Sequence, residues 1–182
     1  KNPAGQQHFF FFFPYGNLIE IVEGNSWFSH NERTMGGVYG CTIGVSDMDQ
    51  SLEFYKKILG CDTVVFDQNG EFDDLSSLPG GEAPVRRVLL RHSQPRQGAF
   101  SRLLGDSEIE LIEVKNRTPR KIFQDRFWGD LGYIHLCFDI TGMAAMKQLC
   151  EESGHPFTVD SDNSFDMGEA AGHFAYIEDR DG

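Results

Sequence analysis

Gly60 and Gly154 stand 94 residues apart, and each closes the same local pattern. Ahead of Gly60, CTIGVSD alternates Cys41, Ile43 and Val45 against Thr42 and Gly44, and DQSLEFYKKILG then sets Leu52, Tyr55, Ile58 and Leu59 on one helical stripe. An alternation of two that gives way to a helical period is a strand running into a helix, each with one apolar face to bury. Ahead of Gly154, YIHLCFDI places Ile134, Leu136, Phe138 and Ile140 opposite Tyr133, His135, Cys137 and Asp139, and TGMAAMKQLCEESG lines up Met143, Met146, Leu149 and Cys150. Asp49 and Thr141 are placed to cap the two helices, and the two glycines to end them. A repeat of this length is a duplicated supersecondary module, since solenoid units run roughly 20 to 50 residues.

Further strand signals follow each helix. After the first come CDTVVFD, PVRRVLLRH (84–92) and SEIELIEV (107–114); after the second come HPFTVD and GHFAYIED. The chain opens on HFFFFFPYGNLIEIVEGN (8–25), two strand-like runs joined by a Pro/Gly turn, which is a hairpin signal. Laying Gly16 on Gly182 matches this hairpin to HFAYIEDRDG at the other end. The expected organisation is therefore a terminal hairpin of a preceding module over 1–24, a polar linker over 25–37, and two modules over 38–120 and 131–182, the second lacking its last strand.

Net charge of −12 disfavours nucleic acid and anionic membrane surfaces, leaving a small molecule or another protein as partner. The four cysteines are scattered without a CxxC pair, which reads as reduced thiols in a cytoplasmic protein. The Phe9 to Phe13 run is too short to span a bilayer and lacks the flanks of a signal peptide.

Read together, VSDMDQSLEFYKKILG, SEIELIEV, GYIHLCFDI, HFAYIEDRDG and PYGNLIEIVE resemble the vicinal oxygen chelate superfamily, which includes glyoxalase I, extradiol dioxygenases and bleomycin-resistance proteins. The resemblance implies an α+β fold of paired βαβββ modules, forming an open curled mixed sheet around a cleft. It also implies a divalent metal ion, Zn, Ni, Mn or Fe, held by inward residues of first and last strands. Those positions fall on Glu110 and His135, with Glu20 a candidate for a third. Gly40 stands where relatives often carry His or Gln, and glycine has no side chain to give.

Arg86, Arg87 and Arg91 are basic against an acidic background, and an arginine in a cleft suits a carboxylate or phosphate. Arg86, Arg87, His173 and Tyr133 are the candidate substrate-binding residues. Asp166 and Glu169 lie in a loop able to close over a cleft, and Phe127 with Trp128 is expected at the junction of modules. The function implied by the resemblance is a glyoxalase-like lyase or isomerase, with Glu110 as ligand or base, acting on a small vicinal-oxygen substrate. The alternatives are an extradiol Fe(II) dioxygenase, which Gly40 disfavours, and a metal-free binding protein of the bleomycin-resistance type. Paired modules associate within one chain or across a homodimer, and a second module short of a strand favours the homodimer.

Overall fold

Strands β1 (His8–Phe12) and β2 (Leu18–Val22) pair antiparallel around the Pro/Tyr/Gly turn, with His8 opposite Val22 and Phe10 opposite Glu20. Gly16 turns the corner at φ +85°, a left-handed conformation that glycine adopts without steric cost. One face of the hairpin carries His8, Phe10, Leu18, Glu20 and Val22. The other carries Phe9, Phe11 and Phe13, exposed rings spaced 6.4 and 5.6 Å along a row. The computed structural model describes residues 1–25, 32, 34–95, 97, 106–115, 117–164, 166, 167 and 170–182. Much of the linker expected over 25–37, and Glu169, lie outside the described residues.

The next unit runs strand, helix, three strands: β3 (Gly40–Val45), α1 (Met48–Lys57), β4 (Thr63–Gly70), β5 (Val85–Arg91) and β6 (Glu108–Val114). The four strands form one open mixed sheet in the order β3-β6-β5-β4, with β3 parallel to β6 and the other neighbours antiparallel. The pleat sends Val88, Leu90, Ile109 and Leu111 to one face, where Phe54 and Tyr55 of α1 and Ile58 at its C-cap complete a buried core with Val45. It sends Arg87, Leu89, Arg91, Glu108 and Glu110 to the other face.

Asp47, in extended backbone, caps α1 by accepting the Gln50 amide at 3.0 Å. Asp49, the expected cap, instead lies in the first turn and pairs with Arg86 at 2.7 Å. Gly60 at φ +69° lets the Cys61 amide donate back to the Tyr55 carbonyl at 3.2 Å, closing the helix where its glycine predicts.

The second half is built differently. Helix α2 (Met143–Glu152) buries Cys150 and brings Met146, with Phe138, Phe157 and Ile177, against the core around α1. Gly142 at φ +81° precedes it without a side-chain cap, so Thr141 does not cap it as expected. The strand expected over 133–140 is not formed. The stretch keeps its alternation in part, with Ile134, Phe138 and Ile140 half-buried but Leu136 exposed, and it pairs with no ladder. In the first unit β3 leans on β6, and among the described residues no strand after Tyr176 stands in that place for 133–140. Backbone without a ladder turns to water or to isolated contacts. Among the described residues only two-residue strands follow: β7 (Val159–Asp160) pairs with β10 (Ala175–Tyr176), and β8 (Asp166–Met167) with β9 (Ala170–Ala171). Among the described residues no helix is long and apolar enough to cross a membrane.

Candidate functional site

On β5 the pleat turns Arg87 away from α1 and toward the opening hairpin. Its side chain is 0% exposed. Nε donates to Glu110 Oε1 at 2.5 Å, and Nη1 donates to both oxygens of Asp74 at 2.9 and 2.8 Å. Phe72 lies under the guanidinium, 4.8 Å from ring centroid to Cζ, and Phe66 stands at 5.9 Å. Nη2 is buried and has no hydrogen-bond partner among the described residues.

The hairpin closes on this group through His8, whose side chain is 2% exposed. Its Nδ1 stands 2.6 Å from Glu20 Oε1 and its Nε2 3.2 Å from Asp74 Oδ2. One chain of contacts, Glu20 to His8 to Asp74 to Arg87 to Glu110, thus joins the inner face of the hairpin to the sheet. Burial pushes the Glu20 carboxyl above its ordinary range against the pull of the His8 hydrogen bond, and the nearby Glu110 charge pushes the same way. Burial raises Glu110 as well, with Arg87 opposing. Farther along the same face, Glu108 accepts from Arg91 and from the Tyr39 hydroxyl, the latter at 2.8 Å. A cleft of about 300 Å³, lined by Gln68, Phe72, Asp73 and Asp74 among others, reaches the cluster through Asp74 and Phe72.

Of the residues expected at a site, the structure unites Glu20, Glu110 and Arg87. It sets the others elsewhere. Arg86, one step along the pleat, faces the α1 side and bridges Asp49 and Asp67, so it does not join Arg87 and its carboxylates. His135 stacks on Trp128 with centroids 5.3 Å apart and meets the edge of Tyr176; Trp128 stacks in turn on Phe123. His173 bonds Asp160 at 2.5 Å, and the Tyr133 hydroxyl donates to the Leu18 carbonyl at 2.9 Å. His8 and Asp74 lie outside the set that the sequence suggests. His8 was legible as the hairpin residue that shares a face with Glu20; Asp74, in a short 3-10 turn (Asp73–Leu75), left no periodic signal.

As folded, this donor set does not fit a divalent ion. Among the described residues no group of three or more His, Cys, Asp or Glu side chains is arranged to hold one. Glu110 is engaged by a guanidinium, and His135 shares no partner with it. At Gly40 a Cβ would collide with the Glu108 carbonyl oxygen, so a side-chain ligand there would displace β6 from β3. Compared with protein-family models and with curated proteins, the sequence matches none.

Proposed function

We propose that this chain is a binding protein for a small oxygen-bearing molecule, which it recognises through Arg87 without a metal ion. The scaffold reading, a vicinal oxygen chelate module, is supported by the strand, helix, three-strand order of residues 40–114 with its first strand parallel to its last. Fold alone decides no activity on such a scaffold. The observation that carries the reading is Nη2 of Arg87, buried with its donors unpaired among the described residues. Leaving such a donor unpaired costs about 1–3 kcal/mol, and a ligand oxygen supplies the missing acceptor. A shallow, open cleft of about 300 Å³ is lined by Asp74 and Phe72, the residues that touch the guanidinium, though not by Arg87 itself, so a ligand reaches Nη2 only by displacing them. Because Asp74 and Glu110 already balance the guanidinium charge, the best fit is a neutral acceptor oxygen, not a second anion.

The test is NMR of the arginine Nε–H resonances during titration with a panel of neutral amides, lactams and sugars beside matched carboxylates. A neutral compound is expected to shift the Arg87 signal in the wild type and to lose its binding in Arg87→Lys. Silence across the panel, or a preference for the carboxylates, would sink the reading.

Glu20 and Glu110 favour a second reading, a lyase or isomerase. Both carboxyls are held toward their protonated forms, which suits them to take and return a proton. Arg87 Nη2 would then bind the oxygen on which charge develops. Deuterium exchange from solvent into a bound carbonyl compound, abolished in Glu110→Gln, is its test.

A further inference from the structure

The side chains gathered around Arg87 are a set that ordinarily suits a divalent ion: one imidazole and three carboxylates. Four separate elements supply them. His8 comes from β1, Glu20 from β2, Asp74 from the 3-10 turn and Glu110 from β6. Yet no three of them meet at one point. What stands among them is the guanidinium, with Nε on Glu110 at 2.5 Å, Nη1 on both Asp74 oxygens at 2.9 and 2.8 Å, and His8 linking Asp74 to Glu20.

We propose that Arg87 is a built-in cation, filling the place where carboxylates of the hairpin and the sheet converge and closing that place to divalent metals. Three converging carboxylates, Glu110 buried and Glu20 and Asp74 partly so, need positive charge nearby, and an arginine supplies it permanently because it does not deprotonate in proteins. A metal ion entering the cluster would meet a like charge that cannot leave by losing a proton. Gly40 supports the same conclusion independently, since the tight approach of its backbone to Glu108 leaves no room for a ligand side chain on β3. The substitution of cation also sets the chemistry offered to a ligand. A guanidinium gives directional N–H donors in one plane and forms no inner-sphere bond. This last consequence rests on the binding reading above; the exclusion of metals does not.

The experiment is titration of the full chain with Mn²⁺ and with Zn²⁺, read as bound ion per chain and as shift in melting temperature. Wild type, Arg87→Lys and Arg87→Met are compared. Wild type and Arg87→Lys, which keep the charge, are expected to take up no stoichiometric ion. Arg87→Met is expected to bind one ion per chain, to melt higher when it does, and to lose both effects when Glu110→Gln is added. Should Arg87→Met be poorly folded alone, Mn²⁺ is expected to restore its cooperative melting. The proposal is overturned if wild type binds a stoichiometric ion that Glu110→Gln abolishes. It is equally overturned if Arg87→Met neither binds nor is stabilised by either metal. No organic ligand enters these titrations, so their failure and the failure of the binding reading are separate results.

Discussion

The hydroxyl of Tyr55 donates to a carboxylate oxygen of Asp179 at 2.8 Å, joining α1 to a residue 124 positions later in the chain. Beside it the Ser46 amide donates to Asp181 at 2.8 Å, and Arg180 reaches Gln50. The EDRDG stretch is thereby fastened along α1 by polar contacts that no local pattern announces. Burial and the Asp179 charge push the Tyr55 phenol far above its ordinary value, so it remains a donor at any working pH.

Tyr55→Phe keeps the ring in the core and deletes only the donor. Its expected cost is about 1 kcal/mol in urea unfolding, typical of one hydrogen bond to a group that can rehydrate. Loss of nothing at all would mean that Asp179 is held by its other contacts.

Glu20 and Glu110 set a pH dependence of definite sign. Burial holds both folded-state carboxyls above the ordinary 4.5, so folding favours their protonated forms more than the unfolded chain does. Their contribution is fully present below that value and is lost as pH rises through the folded values. Glu20→Gln removes the penalty while leaving a partner for His8. Its melting temperature relative to wild type is expected to climb from about pH 4.5 toward neutrality, and a flat difference would count against the burial argument.

His8 is the hinge of the hairpin's attachment, since Asp74 belongs to the sheet unit and Glu20 to the hairpin. His8→Ala leaves both carboxylates without that partner, at an expected cost of about 1–3 kcal/mol. Hydrogen exchange locates the effect: amides of β1 and β2 should lose protection while those of α1 and β5 keep theirs. Uniform loss across the chain would show that the hairpin is integral to the core.

Two glycines of β3 give a paired control. Gly40→Ala drives a Cβ into the Glu108 carbonyl oxygen, whereas Gly44→Ala meets only the Pro119 Cβ at 3.8 Å. The first is expected to destabilise by about 1–3 kcal/mol and the second by about 0.5 kcal/mol or less, measured by thermal unfolding. Equal effects would show that β3 and β6 can separate freely.

The elements of residues 40–114 were legible because each carries a strong period of its own. Leu52, Tyr55, Ile58 and Leu59 follow one helical stripe, and the alternation in VRRVLLR by itself assigns Arg86 and Arg87 to opposite faces of the strand. Residues 133–140 show the limit of that signal. Their alternation is real, and burial follows it at Ile134, Phe138 and Ile140 though not at Leu136, but periodicity says which way side chains point and nothing of whether a neighbouring backbone is there to pair. Glu20, Glu110 and Arg87 were legible as single residues; their meeting was not, because it depends on how the hairpin docks. His8 and Asp74 act across 66 residues of sequence, and the carboxylate that completes the contact sits in a turn of three residues.

The row of Phe9, Phe11 and Phe13 on the outward side of the hairpin governs how copies of the molecule behave toward one another. Those rings lie on a two-stranded ribbon that, among the described residues, pairs with no third strand, an arrangement prone to adhere to other copies. Copies are held apart by charge, −12 on each near neutral pH. Concentrated salt shortens the reach of that repulsion, and acidification toward the isoelectric point near 4.8 abolishes it. Colloidal stability therefore has a narrow electrostatic origin: dilute salt at neutral pH keeps the ribbons apart, while acid precipitation should be steep and should ease when Phe11 is replaced by threonine.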